Sequence, residues 1–244
     1  MEWFEDESFW RDFYPYMFDE ARWDKSLGQV ESVLRLAGID RGEVLDLCCG
    51  PGRHSVAFAK KGFAVTGVDR SAFLLERARH YAEGSTVEFI HADARDFVRD
   101  GAFDMVVNLF TSFGYFATRD EDLRMLRSAR LSLKPGGVLV MHLHGTETIA
   151  MLKNLTVWKE DPQGKIVIMH AEPLDDWQRM RNSWVLLDGE RTRRFEFALN
   201  LYSGAQLAKM LETAGFGDVK LFGSLDGTPY DATATRLVAV ARRL

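Results

Sequence analysis

Apolar residues recur along the middle of this chain in short blocks, each closed by an acid or a small residue and each followed by a stretch with helical spacing. Residues 44–47, 63–69, 87–94, 103–110 and 138–144 read as five buried strands. Between them, Leu74, Leu75 and Ala78 form the inner face of a helix capped by Ser71. Leu123, Leu126, Ala129 and Leu133 do the same for a helix over 119–133, stopped by Lys134-Pro135-Gly136-Gly137. An earlier helix over 26–38 carries Leu27, Val30, Val33, Leu34 and Ala37 inward and ends at Gly38. Strand and helix alternating in this way is the grammar of an open parallel sheet with helices on both faces.

The pattern changes twice. From 146 to 202 the periodicity turns to two: residues 165–170, 185–190 and 195–199 read as strands, with a hairpin turning at Asp188-Gly189. That run is an antiparallel insertion into the α/β chain. A helix over 203–214 then resumes the first pattern, capped by Ser203 and ended by Gly215. Strands over 218–222 and 236–241 follow, too close together for a helical crossover, so the last strand should run antiparallel.

At the other end, residues 1–25 interleave nine aromatics with acids. Phe9, Phe13 and Tyr16, or Tyr14 and Phe18, fall at helical spacing, while Pro15 must start, kink or end any helix there. The expectation is two short amphipathic helices laid on the main domain, serving as a lid over a ligand with Tyr14 and Phe18 as contacts. The organisation read from the pattern is therefore a lid segment over 1–25, a main domain over 26–145 and 203–244, and an inserted antiparallel region over 146–202.

Composition adds limits. The chain has 244 residues, 46% hydrophobic and 27% charged, with a formal charge of −5. This is a globular profile, and its one dense basic cluster, Arg191 to Arg194, falls in a strand pair, so no nucleic-acid footprint is expected. The acidic N-terminus is unlike a signal peptide and no apolar run reaches spanning length, which points to a cytoplasmic protein without a membrane partner. The two cysteines, Cys48 and Cys49, are adjacent, a spacing that serves neither a disulfide framework nor a metal site. No metal is expected.

Candidate chemistry gathers after the first strand, in Asp46-Leu47-Cys48-Cys49-Gly50-Pro51-Gly52-Arg53-His54-Ser55. Two close glycines let the backbone bend and approach a ligand, and the helix that follows offers free N–H groups. A dinucleotide fingerprint wants a third glycine where Ser55 stands, and a phosphate-binding loop wants a lysine that is absent. No tyrosine has a lysine four residues on, as a short-chain dehydrogenase would require; Tyr115 reaches Arg119 instead. An acid at the end of the next strand, Asp69, can accept both hydroxyls of a ribose.

With these features the chain resembles the class I S-adenosylmethionine-dependent methyltransferases, over residues 40–145, Ala214-Gly215-Phe216 and the antiparallel end. The resemblance implies a Rossmann-like, open, seven-stranded, mostly parallel sheet with an antiparallel last strand, carrying an inserted antiparallel lid after the fifth strand. It also implies S-adenosylmethionine as cofactor. Position by position, Asp46, Cys48, Gly50, Gly52 and His54 would hold the methionine moiety, Asp69 and Arg70 the ribose, and Asp93 with Ala94 the adenine edge. Asn108, Phe110 and Ser112 would line the methyl-transfer site. Methyl transfer from a sulfonium needs alignment, exclusion of water and at most one base, for which His142 and His144 at the end of the fifth strand and Tyr115 after the fourth are the candidates, His144 and Tyr115 first. Asn108-Leu109-Phe110-Thr111 departs from the N-P-P-Y or D-P-P-Y of nucleic-acid and protein amide methyltransferases, which argues for a small-molecule acceptor and N- or O-methylation. An NAD-linked oxidoreductase on a similar fold and an RNA methyltransferase are the alternatives. The inserted strands are also candidates for a homodimer contact.

Overall fold

The computed structural model describes residues 2–244 and places the alternating strands in one seven-stranded sheet. In chain order these are β1 (Glu43–Leu47), β2 (Ala64–Asp69), β3 (Glu88–His91), β4 (Phe103–Asn108) and β5 (Leu133–Leu143). After a second, smaller sheet of β6 (Thr156–Glu160), β7 (Ile166–Leu174), β8 (Arg179–Asp188) and β9 (Arg191–Asn200), the main sheet is completed by β10 (Phe216–Phe222) and β11 (Leu237–Arg243). Its spatial order is β10-β11-β5-β4-β1-β2-β3. The strands from β1 to β5 are mutually parallel, and β11 runs antiparallel to both β5 and β10. The order reverses between β1 and β4, and in open α/β sheets the carboxyl ends of strands at such a reversal form the ligand crevice.

The helices α1 (Glu7–Met17), α2 (Glu20–Asp24), α3 (Ser26–Ala37), α4 (Arg53–Lys60), α5 (Ala72–Tyr81), α6 (Arg119–Ser132), α7 (Thr146–Ala150) and α8 (Gly204–Thr213) flank the sheets. One face of the main sheet packs Val44, Met105, Val107, Val138 and Val140 against α3 and α4 through Val30, Val33, Ala57 and Phe58. The other face packs Leu45, Leu47, Val106, Leu139 and Met141 in one apolar mass with α5, α6, α8, the N-terminal aromatics and the inner face of the small sheet. Leu27, expected inward, stays 41% exposed at the first turn of α3.

Where the structure departs from the pattern, the reasons are local. Pro15 lies inside α1, which ends two residues later; lacking an N–H, it leaves the Arg11 carbonyl without its helical donor, and the helix stops within the same turn. β3 is shorter than expected, and β5 begins five residues early through a register shift near Gly136 and Gly137. β6 escapes the periodicity altogether because it is an exposed edge strand, with Val157 at 50% and Trp158 at 65% exposure. The hairpin between β8 and β9 turns on Gly189-Glu190 rather than Asp188-Gly189: Asp188 pairs with Arg191, and Gly189 takes φ 59°.

The N-terminal segment is part of the core. Phe9 and Phe13 are 1% and 0% exposed, packed against Trp184 and Phe195 of the small sheet, and Trp3 stacks on Phe197 at 4.0 Å. Acids secure it to the main sheet. The Glu7 carboxylate accepts from Ser71 Oγ at 2.9 Å and from the backbone N–H of Ala72 and Phe73, so it satisfies the free donors at the start of α5 from a different helix. Glu5 pairs with Arg70 at 2.7 Å and Glu2 with Arg95 at 2.7 Å.

Candidate active site

The turn after β1 carries the site. Cys48, Gly50 and Gly52 all have positive φ (59°, 56° and 79°), so the backbone reverses three times in five residues before α4 begins. Gly52 is needed for packing as well: a Cβ there would meet the Phe89 ring at 2.8 Å. Gly50 N–H donates to Asp69 Oδ2 at 2.8 Å and Ser71 N–H to Oδ1 at 2.9 Å, which orients the carboxylate at the end of β2 with lone pairs left on both oxygens. Asp46, 2% exposed, accepts Ser55 Oγ at 2.6 Å, and burial lifts its pKa to about 7. Burial raises Asp69 as well. For Asp93, burial works upward, but the bonds from Arg95 Nε, Nη2 and N–H outweigh it and hold the carboxyl below its usual range. Burial pushes the Cys48 and Cys49 thiols well up, so neither is a thiolate nucleophile.

These residues face a cavity of about 1110 Å³, mouth included, at the carboxyl ends of β1, β2 and β4. Of the residues picked out in the sequence, Asp46, Cys48, Gly50, His54, Asp69, Arg70, Asp93, Ala94, Phe110, Ser112 and Tyr115 line it. Gly52, Asn108, Tyr14 and His144 do not. Asn108 lies beneath, where its Nδ2 donates to Leu47 O at 3.1 Å and Ser112 O at 3.3 Å and so ties the segment after β4 to β1. The Tyr14 ring packs on Phe18 and Phe73 instead, its hydroxyl buried without a partner. His144 stands beyond the wall at the end of β5; burial first and Arg236 second draw its pKa to about 4, so it is a neutral imidazole. Burial raises the Tyr115 phenol, which remains protonated at neutral pH.

Several wall residues had not been singled out: Phe4, Trp10 and Met17 from the N-terminal segment, Arg22 and Arg53. Arg53 is 7% exposed, with Nη1 bonded to Gln29 Oε1 at 2.7 Å and Ser26 Oγ at 3.2 Å and its guanidinium 4.2 Å over the Phe110 ring. Burial lowers its pKa to about 10. The sequence held one clue to it: a basic residue in the first turn of a helix opposes the helix dipole and calls for a reason. Nothing local marks Arg22 or the aromatic wall.

The donor set fits S-adenosylmethionine. Asp69 offers paired acceptors for a diol, Asp46 a buried acid for an ammonium, Arg22 and Arg53 guanidinium groups for a carboxylate, and Val68, Leu74, Ala92, Ala94 and Leu109 an apolar bed for a purine. When bound, that cofactor supplies an activated methyl group.

Comparison with known proteins agrees. A family model described as "Methyltransferase domain" matches residues 44–137. Over 236 residues the chain is 27% identical to a protein of Bacillus subtilis (strain 168) provisionally named methyltransferase YqeM, covering 94% of each. The CcbJ methyltransferase of Streptomyces caelestis superposes with a TM-score of 0.78 at 21% identity, over 90% of this chain and 95% of that one. The S-adenosylmethionine-bound CalS10, an amino pentose methyltransferase from Micromonospora echinaspora, does so at 0.67 and 25%, over 91% and 92%. Residues 44–137 thus carry a methyltransferase domain, and a sheet reversing beside an acid-lined turn, with relatives of this kind along nearly the whole length, makes the chain similar to the class I S-adenosylmethionine-dependent methyltransferases.

Proposed function

We propose that the enzyme transfers the methyl group to a nitrogen or oxygen of a small molecule by in-line displacement. The supporting observation is the cavity wall: Phe4, Trp10, Met17 and Phe18 of the N-terminal segment line it beside the cofactor turn, which favours an acceptor small enough to enter over one bound on a surface. Residues 1–25 act as the lid, residues 26–145 and 203–244 as the cofactor domain, and residues 146–202 as the support behind the lid. CalS10, an amino pentose methyltransferase, favours an amine acceptor by likeness.

In this reading Asp69 and Arg70 serve the ribose, Asp93 and the Ala94 N–H the adenine, and the turn from Asp46 to His54 the methionine end. Tyr115 is the polar group offered to the acceptor. An amine that arrives neutral needs no base, and the aromatic enclosure aligns it and excludes water. The free cysteines suit the reducing cytoplasm, and no described helix is long and apolar enough to cross a membrane. The row Trp158, Ile168, Val185 and Arg194 across the outer face of the small sheet suits a homodimer, expected as a dimer mass in sedimentation that falls to monomer in Trp158→Lys.

The test of function pairs calorimetric titration with S-adenosylhomocysteine and with NAD, followed by methyl transfer from labelled cofactor to amines, phenols and carboxylates. Binding of the first ligand and labelling of at least one small acceptor class are expected. Labelling confined to RNA overturns the small-molecule reading.

A further inference from the structure

Immediately after β4 the backbone does something that its sequence does not invite. Phe110 and Thr111 are consecutive non-glycine residues with φ 58° and 64°. For a β-branched residue such as Thr111 this conformation is a true outlier, and such outliers persist only where the surroundings over-determine them. Here one residue of β5 does so. His142 Nδ1 accepts the Phe110 N–H at 3.3 Å, and the His142 carbonyl accepts the Thr111 N–H at 2.9 Å. The Phe110 ring, placed by this backbone, lies between His142 at 4.4 Å and His54 at 4.9 Å, with Arg53 over it, and forms part of the cavity wall.

We propose that His142 is a positioning residue for the cofactor: its Nδ1 and carbonyl hold the Phe110–Thr111 backbone in the left-handed conformation that sets the Phe110 ring against the cavity. His142 does not line the cavity itself, so it acts through Phe110. The geometry also fixes its proton. Nδ1 must present a lone pair to the Phe110 N–H, which leaves the hydrogen on Nε2. Burial, reinforced by Arg236, His144 and Arg53, draws its pKa to about 3, so the ring stays a neutral acceptor at physiological pH.

The inference rests on this cavity holding the cofactor, and the two can fail separately. Wild-type protein that does not bind S-adenosylhomocysteine overturns the cavity assignment whatever His142 does. Given wild-type binding, His142→Phe keeps a ring against Phe110 and removes only the acceptor. Its affinity for S-adenosylhomocysteine, by calorimetry, should fall about tenfold or more, because a part-buried N–H loses its partner and the left-handed pair its restraint. Adding Thr111→Gly, which takes that conformation without help, should return the double variant to within about threefold of wild type. His142→Asn, which retains an acceptor oxygen on a shorter side chain, should lie between the two.

A residue that merely fills space would show the opposite pattern, with His142→Phe binding normally and His142→Asn most impaired; that result overturns the proposal. Failure of Thr111→Gly to restore affinity overturns it equally. If His142→Phe does not fold, His142→Leu removes the acceptor and carries the same glycine-rescue comparison.

Discussion

Asp46 and Asp69 end neighbouring strands, yet they have different partners and so different duties. Asp69 is oriented by two backbone N–H groups, and Asp69→Ala should weaken S-adenosylhomocysteine binding by about 2 kcal/mol, as expected when two ribose hydroxyls lose their acceptors. Unchanged affinity by calorimetry would remove it from the ribose site. Asp46 has one neutral partner and a pKa of about 7, so the free protein holds it partly protonated at neutral pH. An ammonium brought beside it favours the carboxylate. Binding should therefore release a fraction of a proton between about pH 6 and 7, read as a dependence of the binding heat on the ionisation heat of the buffer, and Asp46→Asn should abolish that dependence. At this scale the sequence was informative wherever function rides on a local pattern. Asp46, Gly50 and Asp69 are legible from the turn and the strand ends, but Arg22, Trp10 and Phe4 reach the cavity only through tertiary packing.

Among elements, the regular ones were legible and the marginal ones were not. The helices and strands of the main sheet announce themselves because each buries one face or both. β6 buries almost nothing, and α1 passes through a proline because its aromatic face is buried in the core. The junction between α6 and the small sheet is a case that no periodicity reveals. Asp122, wholly buried, accepts from Tyr202 Oη at 2.6 Å and Asn200 Nδ2 at 2.7 Å, and Asn200 N–H reaches Gly114 O at 2.7 Å. Burial lifts Asp122 to about 6 against these bonds. An acid whose pKa rises on folding holds its proton more tightly in the native state, so its contribution to stability declines as pH climbs from about 4 to 6 and is constant above. The size is about 3 kcal/mol. Relative to wild type, Asp122→Asn should therefore gain stability across that window in denaturant titrations; a flat difference between pH 4 and 7 would show that Asp122 does not titrate there. Tyr202→Phe should cost about 1–3 kcal/mol at neutral pH through the lost bond to the carboxylate.

For the whole molecule, the N-terminal segment, read from the sequence as a lid laid on the main domain, is also a structural layer. Phe9 and Phe13 fill the space between the main sheet and the small one, and truncating either to alanine should cost about 3–5 kcal/mol. Removing residues 2–24 should give a protein that binds a hydrophobic dye and lacks a cooperative thermal transition, rather than a folded enzyme with an open cavity. The sequence showed that so aromatic a segment must cover something. It could not show that the covered surface belongs to two sheets, because one of them is assembled from residues more than 140 positions away.

The acids that pin this segment to the main sheet do so through the neighbours of the cofactor acids. Arg95 grips Asp93 and Glu2 together, and Ser71 joins Asp69 to Glu7. In the proposed site Asp69 and Asp93 hold the two ends of adenosine, so loosening either clasp should loosen the acid beside it. Spent cofactor should depart slowly and turnover should be paced by its exit. In stopped-flow displacement, Glu7→Gln should raise the S-adenosylhomocysteine dissociation rate several-fold, and added salt should speed release from the wild type through the Glu2–Arg95 pair.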